Sequence, residues 1–218
     1  GTMNTAIGPY SQLSNTQGNK NTSLGAFSLS SGEWTGDNNT AYGSATLSSN
    51  NSGFENTAIG YTALYYNTTG NRNTANGNSA LENNTTGSGN VANGEKSLYS
   101  NTTGSNNTAI GNGADVGSNN LTNATAIGNG AMVTASNTIQ LGSASVTLVQ
   151  TSGTISATAY AINPGAGGTA TISSIITNNG NAAVVTKSGN GLGVVSNTSN
   201  SFTGGVLLTG GIYAPGSV

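Results

Sequence analysis

Along the first two-thirds of the chain, apolar and polar positions fall into a five-residue word, Asn-Thr-Ala-Ile-Gly or a close variant, that returns in phase. Its closing glycines are Gly8, Gly25, Gly43, Gly60, Gly77, Gly94, Gly111 and Gly128, so every step is 17 residues except one of 18. A period held this strictly is the signature of a stacked, quasi-one-dimensional fold. Within the word, Thr5, Thr22, Thr40, Thr57, Thr74, Val91, Thr108 and Thr125 form a β-branched column suited to a strand. The next column is always small: Ala6, Ser23, Ala41, Ala58, Ala75, Ala92, Ala109 and Ala126. Four residues after most of the marker glycines comes a second apolar mark, Leu29, Leu47, Leu64, Leu81, Leu98 and Met132. Leu13 fits this column with one residue of slippage, and Asp115 breaks it. A second glycine column, Gly18, Gly36, Gly53, Gly70, Gly87 and Gly104, closes Thr-Thr-Gly-like turns.

Each unit therefore predicts two very short strands and two turns, one coil of a parallel β-solenoid in an all-β protein. The two glycine columns are expected at corners needing positive φ. No helical periodicity is present, and glycine and asparagine saturate the segment. Coils stack about 4.8 Å apart, so eight span roughly 40 Å. The opening asparagines, Asn4, Asn21, Asn39, Asn56, Asn73, Asn90 and Asn107, become a ladder of amides that hydrogen-bond along the stack. Strand alternation sends alanine one way and threonine and isoleucine the other. The small column belongs inside a narrow coil, which leaves Ile7, Leu24, Ile59, Ile110 and Ile127, together with the leucine column, on an outward face. An apolar stripe of that kind is seldom left open on a monomer, so a homo-oligomer is expected.

Composition narrows the chemistry. The chain of 218 residues contains 34 glycines, and charged residues make up 5%. Such a composition also suits a disordered polar tract, and only the fixed period argues for order. Without cysteine or histidine, disulfides, cysteine or histidine metal sites and histidine-based triads are excluded, and no cofactor or metal is expected. Four basic residues and a formal net charge of −2 give no footprint for nucleic acid. No apolar run reaches the roughly 20 residues of a membrane-spanning helix, so membrane insertion of this segment is not expected.

The run Ala124-Thr125-Ala126-Ile127-Gly128-Asn129-Gly130-Ala131, followed by Ser136-Asn137-Thr138-Ile139-Gln140-Leu141-Gly142, resembles the head repeat of trimeric autotransporter adhesins, the YadA-like family. That resemblance implies a left-handed parallel β-roll, three chains packed about one axis, and adhesion without enzymatic activity. The family unit is 14 residues, matched by the step from Gly128 to Gly142, while the 17-residue coils resemble longer-loop relatives with Asn-Thr-Thr-Gly insertions at Asn67 to Gly70 and Asn101 to Gly104. Similar repeats occur in phage tail fibres. The expected organisation is a β-roll head over 1–142, a neck over 143–160 and a small β domain over 161–218. In the last, Thr171 to Ile176 and Ala183 to Thr186 read as strands, with Asn-Gly turns at Asn179-Gly180 and Asn190-Gly191. The family's stalk and membrane barrel are not recognisable in the sequence, so the chain reads as an internal or processed piece of a longer protein.

Candidate sites are few. Glu33 and Asp37, beside Trp34, are the one carboxylate pair close in sequence, and glycosidases use two carboxylates. A longer surface loop with solvated charges explains them more simply, and the chain is not expected to be an enzyme. Trp34, Phe54, Tyr65 and Tyr66 fall in or beside turns, where aromatics serve as ligand-binding anchors or cover the edge of the fold. Asn76 and Asn93 replace isoleucine in two successive coils and would place a polar layer on a trimer axis. The sequons at Asn67, Asn83 and Asn101 follow from the Asn/Thr repeat itself, and glycosylation is not inferred. The expectation is a homotrimeric extracellular or cell-surface fibre segment that attaches to a receptor, glycan or matrix protein. A phage tail-fibre or filament piece on a virion, and an ice-binding solenoid, are the alternatives.

Overall fold

The computed structural model describes residues 1–30 and 35–146, together with the backbone of four short strands farther along. The chain divides into two compact units, Gly1–Gln150 and Thr151–Val218. The first is a parallel β-solenoid with no helix among its described residues. Its strands are β1 (Thr5–Ile7), β2 (Thr22–Leu24), β3 (Thr40–Tyr42), β4 (Thr57–Ile59), β5 (Thr74–Asn76), β6 (Val91–Asn93), β7 (Thr108–Ile110), β8 (Asp115–Val116), β9 (Thr125–Ile127), β10 (Met132–Val133) and β11 (Ile139–Leu141). Nine of them form one parallel sheet in the order β1-β2-β3-β4-β5-β6-β7-β9-β11, and β8 pairs with β10 on a second sheet. The register is like on like: Thr57 lies beside Thr74, Ala58 beside Ala75, Ile59 beside Asn76. The sequence period is thus the pitch of the solenoid. In the second unit, β12 (Ala170–Ile172) pairs in parallel with β14 (Gly193–Val195), and β13 (Val185–Lys187) with β15 (Val206–Leu208). The Asn-Gly turns expected at Asn179-Gly180 and Asn190-Gly191 lie outside the described residues.

Three-residue strands cannot hold a sheet by themselves, so the links between coils decide the fold. The first is backbone. Thr74 N–H donates to Asn90 O in the following coil at 2.8 Å, and Gly77 N–H donates to Ile59 O in the preceding one at 2.8 Å. The second is the expected asparagine ladder, and it is fully buried: Asn21, Asn39, Asn56, Asn73, Asn90 and Asn107 are at most 1% exposed. Asn73 shows the pattern. Its Oδ1 accepts the backbone N–H of Asn90 at 2.9 Å, while its Nδ2 donates to Asn56 Oδ1 at 3.1 Å and to Gly87 O at 2.9 Å. Every polar atom of the side chain is satisfied by a neighbouring coil, which is the condition for burying an amide without a large loss.

A second internal ladder was not recognised in the sequence. Asn50, Asn67, Asn84 and Asn101 are also at most 1% exposed. Asn67 donates to Asn50 Oδ1 at 2.8 Å, Asn84 to Asn67 Oδ1 at 2.9 Å and Asn101 to Asn84 Oδ1 at 2.9 Å. The Asn-Thr-Thr-Gly segments are therefore interior at their first residue and turn only afterwards. Asn67 and Asn101, as buried ladder members, are closed to glycosylation in the folded chain. Asn15 opens the same column, and its Oδ1 is a buried atom without a hydrogen-bond partner among the described residues.

Two expectations about the columns are corrected. The leucines of the leucine column do not face outward: Leu47, Leu64, Leu81 and Leu98 are 0% exposed and form the core with the alanines, while Met132 at the end of the column is 46% exposed. The small column leaves room beside it, and the leucines of the opposite wall fill that space. In the first coil Gln12, not Leu13, holds the leucine position, with its N–H on Ser28 O at 2.9 Å, while Leu13 is 65% exposed. The two glycine columns also differ in cause. Gly77 has φ of 144°, and an added Cβ would stand 2.4 Å from Gly94 O, so it needs glycine twice over. Gly87 is outside the left-handed region, and there the close approach alone excludes a side chain: its Cβ would meet Gly104 O at 2.2 Å.

Much of the left-handed backbone is carried by residues with side chains. Lys96 and Leu98 have φ of 53° and 50°, and the same two columns repeat this at Thr62 and Leu64 and at Ser79 and Leu81. Each such residue costs roughly 1–2 kcal/mol by itself. The conformation persists because it turns the N–H groups of the two left-handed residues to opposite coils. Lys96 N–H donates back to Asn78 O at 2.8 Å and Leu98 N–H forward to Ala114 O at 2.9 Å.

Asn73→Ala tests the ladder. It orphans the buried Asn90 N–H and opens a cavity, so stability in chemical denaturation should fall by about 3 kcal/mol. A loss under about 1 kcal/mol would show that the ladder contributes little.

Candidate functional site

The nine-stranded sheet turns its threonine and isoleucine columns outward. Along the isoleucine column Ile7 is 58% exposed, Tyr42 54%, Ile59 40%, Ile110 42%, Ile127 38% and Leu141 46%, with Leu24 half-buried. Tyr42 and Leu141 extend the stripe beyond the positions recognised in the sequence. Because the register is like on like, these side chains line up in one row on a single chain, roughly 40 Å long at a strand spacing of about 4.8 Å. Asn76 and Asn93 interrupt it between Ile59 and Ile110. Both are exposed, and Asn76 Nδ2 donates to Asn93 Oδ1 at 3.3 Å.

A second feature lies on the segment that follows the marker glycine. Column arithmetic explains it. Two residues after the glycine, successive coils carry Tyr10, Phe27, Ala45, Thr62 and Ser79; five residues after, they carry Ser30, Ser48, Tyr65 and Glu82. Ala45 and Ser48 are small in both columns of one coil, so the surface drops there between larger neighbours. The result is a groove of about 400 Å³, within the range of small-ligand sites. Phe27 bounds one side, held by stacking on Tyr10 with ring centroids 5.0 Å apart. Tyr61, Tyr65 and Tyr66 bound the other, and the last two meet edge to face at 4.7 Å. Thr62 Oγ1 donates to Glu82 Oε2 at 3.0 Å at the groove edge.

Among the aromatics singled out in the sequence, the structure brings Tyr65 and Tyr66 together in this groove. Phe54 lies apart from it, half-buried, with the Arg72 guanidinium 5.5 Å above its ring. Arg72 also pairs with Glu55 at 2.8 Å on the open surface, where such pairs contribute little. Trp34 and Glu33 lie outside the described residues. Asp37, the other half of the carboxylate pair, accepts the Asn19 backbone N–H at 2.6 Å and Asn19 Nδ2 at 3.1 Å, an arrangement that ties two coils together. Phe27, Tyr61 and Glu82 were missed as site residues. Their signal was the 17-residue column offset, which stacks Glu82 directly on Tyr65. Among the described residues, no group of His, Cys, Asp and Glu could hold a metal ion.

A buried carboxyl lies outside the groove. Asp115 takes the leucine position of its coil and is 7% exposed. Burial raises its pKa above the ordinary 3.8, opposed by hydrogen bonds from Val116 N–H at 2.8 Å and Ser100 N–H at 3.1 Å. The folded chain therefore binds this proton more tightly than the unfolded chain. Its contribution to stability is greatest below the ordinary carboxylate value and declines as pH rises through the raised folded value. Measured as melting temperature against pH, this decline should be present in the wild type and absent in Asp115→Asn. Identical profiles would contradict it.

No protein-family model matches the chain, and no curated protein matches it either.

Proposed function

We propose that this chain is a segment of a non-enzymatic, homotrimeric extracellular fibre that displays an adhesive head at a cell or virion surface. The observation that carries the reading is the row from Ile7 to Leu141: a sheet in register over nine strands, with a column on its outer face that is apolar except at Asn76 and Asn93. A row of this length on one chain is the surface that self-association about a common axis would bury. The resemblance of the Ala-Ile-Gly words to adhesin heads supplies the number three, and the composition suits a fibre with no catalytic machinery. On this reading Asn76 and Asn93 sit at the axis, where the three chains would contribute a layer of amides.

Mass determination by light scattering on the purified chain should give a trimer, and a monomer at all accessible concentrations would refute the reading. Ile59→Lys combined with Ile110→Lys places like charges along the row and should shift the mass to that of a monomer. If the charged variant stays trimeric, the interface lies elsewhere. Asn76→Ile combined with Asn93→Ile makes the axial row continuous and should raise the melting temperature of the oligomer. An unchanged or lower value would place those residues off the axis.

A further inference from the structure

We infer that the groove between Phe27 and Tyr61 to Tyr66 is a binding site for a neutral saccharide. The inference rests on the adhesive reading for its biological sense, while the groove itself is complete within one chain.

Sugar rings present two kinds of surface, an apolar face of C–H groups and a rim of hydroxyls, and a site for them needs both complements. Aromatic faces meet the first. Here Tyr65 and Tyr66 stand edge to face, so one ring can lie under a sugar while the other closes its side. Phe27, fixed by its stack on Tyr10, forms the opposing wall. For the second complement, Glu82 reaches the groove with its Oε2 held by the Thr62 hydroxyl at 3.0 Å. Its Oε1 accepts no hydrogen bond from any described residue, leaving a charged acceptor oriented and open for ligand hydroxyls, the stronger class of hydrogen bond. The tyrosine hydroxyls add groups that both donate and accept.

Charge selects among saccharides. Among the described residues, no basic side chain lines the groove. A sialylated or uronic acid ligand would bring its carboxylate toward Glu82 with nothing to neutralise it, so neutral sugars are favoured. An aromatic site with one carboxylate also suits a quaternary ammonium. Such cations are held in enclosed cages, whereas this groove is open along one side and rich in hydroxyls, which fits a ring with many polar edges better.

The repeat supplies a clean test. Ala45 has φ of 58° and shares its column with Tyr10 at 58° and Phe27 at 57°, so the backbone there already accepts an aromatic side chain. Ala45→Phe should fill the groove floor and leave the solenoid intact. The full chain would be applied to a panel of immobilised neutral, sialylated and uronic acid-containing oligosaccharides, with free choline chloride as a competitor, and its mass measured in the same sample. The expected result is retention by at least one neutral oligosaccharide, competed by that sugar in solution and not by choline. Ala45→Phe and Glu82→Gln should each weaken binding at least tenfold, with the melting temperature of Ala45→Phe unchanged or raised. The inference is overturned by no retention on neutral sugars, by preference for acidic sugars or displacement by choline, or by wild-type binding in a folded Ala45→Phe. A trimer that binds no sugar removes the saccharide site alone; a monomer that binds sugar removes the fibre reading alone.

Discussion

The structure depends on one constraint, that a buried side-chain amide must find all its partners in the coils above and below it. Asn73 does so with Oδ1 on the next coil's backbone and Nδ2 on the preceding Oδ1 and a corner carbonyl. The donor side works because the preceding coil places an asparagine Oδ1 at the same height, which favours keeping the asparagine in register from coil to coil. It also explains the low charge. Stacked like on like, a carboxylate column would repel itself at every rung, whereas an amide is its own complement. Two such ladders run through the interior, and together with the leucine and alanine columns they replace the large hydrophobic core that a coil this narrow has no space for.

The same stacking dictates where glycine is required and where it is not. At Gly77 and Gly87 the obstacle is the next coil's backbone, within 2.4 Å and 2.2 Å of where a Cβ would lie. At Lys96 or Leu98 the backbone is left-handed, as at Gly77, yet the side chain is tolerated because it points into open space or core while the N–H reaches a neighbour. Strain is thus distributed in the columns where inter-coil hydrogen bonds offset it. Surface relief follows from the same rule. Since each column is a stack, a run of small residues makes a dip, and this is how Ala45 and Ser48 create a groove between aromatic neighbours.

The described solenoid presents two contrasting outward surfaces. The sheet face is regular and, apart from Asn76 and Asn93, apolar; on the proposed reading a second copy of the chain would match that regularity. The segment after the marker glycine is irregular from coil to coil, suited to recognition of something that does not repeat. Aromatics, hydroxyls and Glu82 gather there, while Asn76 and Asn93 make the one polar break in the regular face.

The parallel solenoid, its pitch, the inward alanines and the first asparagine ladder were all legible in the sequence, because each is a periodic property and the period is printed in the chain. The direction of the leucine column was not, since its residues sit on a turn where alternation gives no rule. Nor was the second ladder: Asn67 and Asn101 look like turn residues until the path of the backbone puts them inside. The groove was half legible, as Tyr65 and Tyr66, but its other wall and its carboxylate come from coils 17 or more residues away. The sequence determined what repeats, because stacking makes identity in sequence into contact in space. Which side of each coil faces inward, and which unlike residues meet across coils, was decided only by the tertiary structure, through the left-handed turns that set the direction of every side chain.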